Sequence, residues 1–245
     1  MTMTRRKAVG TLASAAGVLA ADKLFAQIPS SSTGPAPGAG PEKGKTAMVP
    51  LPFDPKSLRG ISEKLITSHW ENNYGGAVKN LAKVREAIAQ TTRDTPSFVT
   101  AGLRERELTF QNSVTLHELY FANLGGSGKP DGSVMKAAAE AFGGFARFEE
   151  LLRATAMGLA GGSGWALLAY DLHSDALCVS WSGNHTQAPA FARPLLVIDM
   201  YEHAYQMDYG AAAAKYVDAF FANARWDEVN RRYEGALKAA KAMKG

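Results

Sequence analysis

The stretch LLVIDMYEHAYQMDY, residues 195–209, places a carboxylate and a histidine four residues apart at the end of an apolar run. An apolar run of this kind normally continues into a protein core, so Asp199 must be solvated, hydrogen-bonded or bound to a cation. His203 then stands four residues further along, among aromatic residues. The stretch therefore indicates either a metal site or a buried strand that enters a helix.

Two further histidines lie on long segments whose apolar residues have helical periodicity. His69 falls in the segment of residues 62–88 and His117 in the segment of residues 104–124, each on a largely apolar face. A single histidine on such a face is more often a hydrogen-bonded core residue than a ligand. Two of them on neighbouring helices, with an aspartate and a third histidine nearby in sequence, make a candidate set of three imidazoles and one carboxylate. That set suits manganese, iron or zinc, and by itself leaves hydrolysis, oxygen chemistry and a structural site open.

The segments around these residues predict an α+β fold, in which an N-terminal antiparallel helical hairpin precedes an α/β domain. The two long helices, separated by TTRDTPSF, form the hairpin. After GGSGKPDGS come two helical segments split at Gly143 and Gly144. Three strand-like runs then predict a small, mostly antiparallel three-stranded sheet; they are GWALLAYD, ALCVSWS and PLLVID. We predict a helical-hairpin domain over residues 48–127 and an α+β domain over residues 128–245.

The first 47 residues predict an export signal and a linker. Residues 1–26 have a basic start with paired arginines, Arg5 and Arg6, then an apolar stretch and small residues. This pattern is typical of a twin-arginine signal, so we expect a periplasmic or secreted protein with no stable membrane association after signal removal. The alternative is an N-terminal membrane anchor, although the apolar stretch is shorter than the ~20 residues that a span needs. Residues 27–47 are rich in Pro, Gly and Ser, which favours a disordered, flexible linker.

The charge balance does not indicate a nucleic-acid partner. Four basic residues and one acidic residue lie within residues 1–26, so the remaining chain holds 23 basic and 22 acidic residues. The net charge of +4 is therefore mostly a property of the predicted signal. The single cysteine, Cys178, excludes an internal disulfide, and its strand-like run predicts burial as a small hydrophobic residue.

Several segments resemble the iron/manganese superoxide dismutase family. DMYEHAYQMDY is similar to the family's signature around its last two metal ligands, and LPFDPKSLRGISEKLITSHW and LHELYF resemble its first and second ligand helices. AFGGFARFEELL, GGSGWALL and ANARWDEV resemble later segments in the same order. The resemblance implies one iron or manganese ion per subunit, held by four ligands. These ligands are His69, His117, Asp199 and His203.

The resemblance also implies the reaction and the surroundings of the metal. The family disproportionates superoxide to dioxygen and hydrogen peroxide, so superoxide is the expected substrate. A homodimer is expected to complete the site, with Glu202 and Tyr205 at the contact between subunits. Aromatic residues are expected to form its walls, although aromatic residues at helical spacing are often only core residues. The expected wall residues are Tyr120, Phe121, Trp165 and Tyr201.

The chain departs from the family pattern at the expected substrate entrance. The family usually has a histidine four residues and a tyrosine eight residues after the first ligand, and here Asn73 and Ala77 stand in those places. Tyr74 could supply the missing phenol only if the segment NNYGG distorts the helix, because five residues turn it about 140° away from His69. Loss of this proton relay favours an alternative function, an exported, non-catalytic metal-binding protein of the same fold.

A second departure concerns the residue that hydrogen-bonds the metal-bound solvent. Iron-type members supply a glutamine from the helix before the second ligand, and manganese-type members supply it from the loop after the second strand. Here Ser113 occupies the helix position, whereas His185, with Gln187 behind it, lies close to the loop position. We expect His185 to be the solvent partner, and the choice between iron and manganese stays open.

Overall fold

The structure is a computed structural model that describes residues 47–244. The predicted export signal and all but the last residue of the predicted linker lie outside the described residues, as does Gly245. The described residues all belong to one compact unit. Among them, no helix combines the length and the apolar character that crossing a membrane requires.

Helices form the N-terminal part of the described chain: α1 (Glu63–Ser68), α2 (Gly75–Ala89) and α3 (Ser97–Ala122). The side-chain oxygen of Ser62 caps α1 by accepting a hydrogen bond from the backbone N–H of Leu65 at 3.1 Å. Apolar side chains of α2 and α3 belong to one buried core. The helical hairpin predicted from the sequence is therefore confirmed.

The third helix begins seven residues earlier than the predicted start at residue 104. Pro96 takes the N-cap position, where the N–H that proline lacks would have no helical partner. The first turns of α3 did not show in the apolar pattern because Phe98, the large apolar residue of these turns, is exposed to solvent.

A π-helical segment, His69–Tyr74, joins α1 to α2. The N–H of Gly75 donates to the carbonyl oxygen of Trp70, so this hydrogen bond spans five residues instead of the four of an α-helix. Such a wider turn brings the sixth residue of the segment back over the first. The distortion of NNYGG that would turn Tyr74 towards the side of His69 is thus present.

Two more helices, α4 (Gly132–Phe142) and α5 (Phe145–Met157), follow the loop that contains residue 128. The predicted break between them is confirmed, because Gly143 and Gly144 have φ values of 79° and 136°, which L side chains rarely adopt. The division into two domains near residue 128 stays a prediction.

Three strands follow: β1 (Trp165–Asp171), β2 (Ala176–Ser182) and β3 (Ala192–Asp199). They form an antiparallel sheet in the order β2-β1-β3, which confirms the predicted small sheet. Cys178 is only partly buried, not buried as predicted, because β2 is an edge strand. Trp165 lies directly opposite Asp199 in the register of β1 and β3. One end of the sheet therefore carries two of the predicted site residues as a cross-strand pair.

The chain ends with α6 (Gln206–Tyr209), α7 (Ala213–Ala222) and α8 (Trp226–Lys244). Arg232 of α8 is 3% exposed and its guanidinium bridges α3 to β3. It donates to the carbonyl oxygens of Leu119 in α3, at 3.1 Å, and of Leu195 in β3, at 3.0 Å. The carboxylate of Glu228 accepts from its Nε at 2.8 Å. Together, these helices and the sheet confirm the α+β fold class.

Candidate metal centre

Four side chains from four different elements converge inside the protein. His69 opens the π-helical segment, His117 lies in α3 and Asp199 ends β3. His203 lies in the short 3-10 turn Glu202–Ala204. One possible ligand atom from each of the four lies within 4.8 Å of every other, and only His203 is partly exposed. The structure thus brings together the four residues that the sequence predicted as ligands.

The carboxylate of Asp199 stands among the three imidazoles. Its Oδ2 lies 3.1 Å from Nε2 of His69, 3.7 Å from Nε2 of His117 and 3.3 Å from Nε2 of His203. Its Oδ1 accepts a hydrogen bond from the backbone N–H of Tyr201 at 2.9 Å, which orients the carboxylate. Burial alone would raise the pKa of the Asp199 carboxyl, but His203 and His69 hold it well below its usual range. Asp199 is therefore anionic.

The buried histidines supply neutral imidazoles. Burial lowers the pKa of His117 to about 3 and also lowers the pKa of His69. The Nδ1–H of His117 donates to the carbonyl oxygen of Ser113 at 2.7 Å, so the lone pair of His117 belongs to Nε2. That Nε2 is buried with no hydrogen-bond partner among the described residues. A buried lone pair of this kind costs free energy unless a cation binds it.

This donor set fits a transition-metal ion. Three imidazole nitrogens and one carboxylate oxygen suit iron, manganese or zinc. Calcium and magnesium prefer sites built from oxygen ligands, so they match the set poorly. The geometry therefore supports a mononuclear transition-metal centre and leaves the metal open.

Comparison with known proteins covers most of the chain. Residues 130–232 match the C-terminal domain of iron/manganese superoxide dismutases. A protein of Cupriavidus metallidurans named an iron superoxide dismutase is 44% identical over 192 residues, which cover 78% of this chain and 98% of that relative. This chain belongs to the iron/manganese superoxide dismutase family.

Members of the family named for either metal are similar to this chain. An iron superoxide dismutase of Aquifex pyrophilus is 38% identical over 199 residues, which cover 78% of this chain and 92% of the relative. A manganese superoxide dismutase of Haloferax volcanii is 34% identical over 194 residues, which cover 77% of this chain and 96% of the relative. The similarity therefore does not select one metal.

Aromatic rings line the ligands, as the superoxide dismutase family resemblance implied. The rings of Tyr120 and Phe121 lie 5.2 Å and 5.1 Å from the ring of His69. Trp165 meets the ring of His117 edge-on at 5.1 Å. All three aromatic residues are buried, so they are core residues and walls of the centre at once. Such apolar walls strengthen electrostatic interactions inside the site.

His185 and Tyr201 extend a stack of rings from the ligand His203. The ring of Tyr201 lies nearly parallel to both histidines, 5.3 Å from His203 and 4.8 Å from His185. Nδ1 of His185 accepts a hydrogen bond from the indole N–H of Trp165 at 3.0 Å. Burial lowers the pKa of His185, which favours the neutral ring. The neutral ring then carries its proton on Nε2, so His185 keeps one hydrogen-bond donor.

The helix that carries His69 differs from the family at the expected entrance, as the sequence indicated. Asn73 is partly buried and Ala77 is buried. Neither side chain offers the imidazole or the phenol that the family usually places there. Two groups of the family's usual proton relay are therefore absent at these positions.

Tyr74 does not replace the missing phenol. The π-helical segment brings its ring to within 6.3 Å of the ring of His117, and the residue is 1% exposed. Its hydroxyl, however, accepts a hydrogen bond from the N–H of Val49 at 2.8 Å and donates to Oε1 of Glu118 at 2.9 Å. The distortion occurs as the sequence allowed, but the hydroxyl bonds to the N-terminal segment and to Glu118.

The two residues predicted at a subunit contact differ in exposure. Glu202 is exposed beside the ligand His203 and is available to a partner. Tyr205 is 1% exposed, and its hydroxyl accepts a hydrogen bond from the N–H of Gly161 of the same chain at 3.0 Å. Its side chain is therefore part of the core of this chain, and its place at a contact between subunits stays a prediction.

Ser113 and Gln187 make contacts that the sequence did not predict. The carbonyl oxygen of Ser113 orients the imidazole of His117, as described above. Gln187 is exposed, and its Oε1 accepts from the N–H of Gly183 at 3.0 Å, which stabilises the loop after β2. The expected support of His185 by Gln187 is not what the structure shows.

Sequence reasoning missed Tyr216, which bonds to the backbone of a ligand. Its buried hydroxyl donates to the carbonyl oxygen of Asp199 at 2.8 Å and lies 3.2 Å from the hydroxyl of Tyr120. In the sequence, Tyr216 follows an alanine run at ordinary helical spacing, which predicts only a core residue. No local pattern signals a contact between α7 and the end of β3.

Acid should destabilise the metal-free protein. His117 has a pKa of about 3 in the folded chain against an ordinary value of 6.5, so the unfolded chain binds more protons between these values. The free energy of unfolding should therefore fall as the pH drops from 6.5 towards 3, by up to ~1.4 kcal/mol per pH unit for this one proton. Urea unfolding across this range measures it. A slope that is unchanged in His117→Gln would contradict this assignment.

Proposed function

We propose that this protein disproportionates superoxide to dioxygen and hydrogen peroxide at a mononuclear centre holding one iron or manganese ion per subunit. The convergence of four ligand atoms within 4.8 Å carries the proposal. It is supported by relatives that match nearly over their full length and are named superoxide dismutases. A bound redox-active ion supplies a one-electron couple, so that two superoxide ions and two protons yield one dioxygen and one hydrogen peroxide.

The charges of the site suit an anionic substrate. Asp199 contributes one negative charge, and the neutral imidazoles of His69 and His117 contribute none. An ion of charge two or more is therefore only partly neutralised, and the centre attracts an anion. The buried rings of Tyr120, Phe121 and Trp165 exclude water around the ligands, which strengthens this attraction.

His185 is the group best placed to donate a hydrogen bond towards the centre. Its ring lies 6.2 Å from the ring of His117, and Trp165 holds its Nδ1 as an acceptor. The Nε2–H is then the free donor, and it can orient solvent or an anion beside the ligands. We propose this role for His185 in place of the glutamine that the family usually supplies.

Removing the indole N–H of Trp165 should change the pH profile of activity. In Trp165→Phe, Nδ1 of His185 loses its donor, so the ring can adopt the other tautomer and activity should fall by about 10- to 100-fold. The pH dependence of superoxide loss measures the change. Trp181→Phe, at a tryptophan that is 55% exposed in β2, is the matched control and should behave like the parent. Full activity with an unshifted profile in Trp165→Phe would disprove the role.

The proposed activity can be tested directly. Protein with a measured iron and manganese content would be exposed to superoxide generated by pulse radiolysis. Loss of superoxide over many turnovers per metal ion supports the enzyme. Loss of at most one superoxide per ion would instead establish the non-catalytic metal-binding alternative, which Asn73 and Ala77 suggested. No feature of residues 47–244 beyond those two substitutions favours that alternative.

We further propose a homodimer in which Glu202 reaches the partner's centre. The exposure of Glu202 and the partial exposure of the neighbouring ligand His203 support this contact. Analytical ultracentrifugation should show a dimer for the parent and a weaker dimer for Glu202→Ala. A monomeric parent at micromolar concentration would exclude the proposal.

We also propose export to the periplasm or beyond through residues 1–26. The paired arginines Arg5 and Arg6 support the twin-arginine route. Replacement of both arginines by lysine should leave the protein in the cytoplasm, whereas replacement of Lys43 and Lys45 by arginine should not. Cell fractionation with antibody detection distinguishes these outcomes.

A further inference from the structure

The N-terminal arm, defined as residues 48–53, contacts residues just after the two helical segments that carry His69 and His117. At one end, the thioether of Met48 lies against Gly75, where an added Cβ would come within 3.0 Å of Sδ. At the other end, Phe53 lies against Gly125, where an added Cβ would come within 2.8 Å of the Phe53 Cβ. The arm therefore extends from the start of α2 to the loop after α3, and glycine at both positions permits its close approach.

Two hydrogen bonds fasten one residue of the arm to the π-helical segment. The carbonyl oxygen of Val49 accepts from the indole N–H of Trp70 at 2.9 Å. The N–H of Val49 donates to the hydroxyl of Tyr74 at 2.8 Å. Trp70 directly follows the ligand His69, and Tyr74 ends the same segment. The turn that carries the first ligand thus binds both polar backbone groups of Val49.

Tyr74 also connects the arm to the second ligand helix. Its hydroxyl donates to Glu118, the neighbour of His117, at 2.9 Å. A cavity of about 100 Å³ lies beneath the arm, lined in part by Tyr74, Glu118 and Phe121. The ring of Phe121 lies 5.1 Å from the ring of His69 and 6.1 Å from that of His117. One aromatic ring therefore separates the underside of the arm from two ligands.

The π-helical segment needs contacts of this kind. A π turn is rarer and less favourable than an α turn, so it persists where surrounding structure holds it. Val49 and Pro50 are themselves exposed, so burial alone does not hold the arm in place. The two hydrogen bonds of Val49 thus join the arm to the π-helical segment, in addition to the apolar contacts that both make with the core.

We propose that the arm is a strap whose docking on Trp70 and Tyr74 holds the π-helical segment and thereby sets the position of His69. Trp70 and Tyr74 are positioning residues in this account, acting on the metal through His69 and the helix turn. The inference rests on the proposed function only in taking His69 as a ligand. The strap begins directly after the predicted linker, so trimming of the chain within the linker leaves it intact.

The test uses the full chain with Trp70→Phe, Tyr74→Phe and the double variant. Each single change removes one hydrogen bond to Val49 and should raise amide exchange in residues 69–75 by roughly fivefold or more. Tyr74→Phe also removes the bond to Glu118, so Trp70→Phe is the variant that isolates the contact with the arm. The double variant should exchange little faster than the worse single variant, because both changes release the same residue. Tyr170→Phe is the matched control, since it removes the hydroxyl of another buried tyrosine, which bonds to Asp175 at the other end of β1.

The second readout is the metal itself. In manganese-loaded protein, the single variants should alter the electron paramagnetic resonance spectrum and release manganese to a chelator roughly fivefold faster, whereas Tyr170→Phe should do neither. The strap would be overturned if the effects of the two single changes on amide exchange simply added in the double variant. It would also be overturned if the single variants had the parent's electron paramagnetic resonance spectrum and its rate of manganese release. Amide exchange requires no activity, so a strap confirmed in an inactive protein would contradict the proposed function alone.

Discussion

Asp199→Asn should lose its metal, with a fall in affinity of more than about 100-fold. The substitution keeps the size of the side chain and the acceptor for the Tyr201 N–H, but it removes the anionic oxygen that lies within 3.7 Å of all three ligand imidazoles. Neutral ligands alone do not compensate the charge of the ion in a buried site. Superoxide dismutation should disappear with the metal.

Elemental analysis after dialysis against a chelator measures this loss, and activity is assayed on the same samples. Asp171→Asn is the matched control, because Asp171 ends the neighbouring strand β1 at the opposite end of the sheet, where its carboxylate accepts hydrogen bonds from His173 and Ser174 in the turn that follows. It should retain metal and activity. Stoichiometric metal in Asp199→Asn at unchanged activity would remove the carboxylate from the ligand set.

Arg232→Met should destabilise the protein by about 3–5 kcal/mol. The guanidinium is 3% exposed, and without it the carbonyl oxygens of Leu119 and Leu195 lose a donor and the carboxylate of Glu228 loses its buried partner. Methionine fills much of the volume of the arginine side chain, so little cavity is created. The lost free energy of unfolding therefore measures mainly the loss of the polar network. Urea unfolding of the metal-free protein measures it.

Arg231→Met supplies the comparison within the same helix. Arg231 binds the same carboxylate of Glu228, but its side chain is 69% exposed. An exposed ion pair contributes roughly 0–1 kcal/mol, so this variant should unfold almost like the parent. Equal destabilisation by the two substitutions would show that the carboxylate, and not the bridge between α3 and β3, determines the effect.

The sequence predicted the parts of the fold that local patterns record. The sheet and the Gly143–Gly144 break follow from apolar runs and from turn residues, and both are present. The ligand set followed from the resemblance, because Asp199 and His203 stand in a dense local signature. The start of α3 was missed because Phe98 faces solvent, which removes the periodicity that marks a buried face.

What the sequence could not predict are contacts between distant residues. Tyr205 was assigned to a surface contact by its place in the signature, whereas the fold turns it inwards to Gly161. Tyr216 and Arg232 reach the ligand-bearing elements only through the packing of α7 and α8. The hydroxyl of Tyr74 was unpredictable for the same reason, since its partner Val49 lies 25 residues earlier.

The ligands are spread so widely along the chain that the order of events during synthesis is constrained. His69 and Asp199 stand 130 residues apart, and the guanidinium that bridges the elements of His117 and Asp199, α3 and β3, comes from Arg232 in α8. A nascent chain on the ribosome therefore has no complete centre until synthesis is almost finished. A translocase that transports unfolded chains would deliver this protein without its metal ion. A translocase that transports folded proteins would deliver it with the ion already bound.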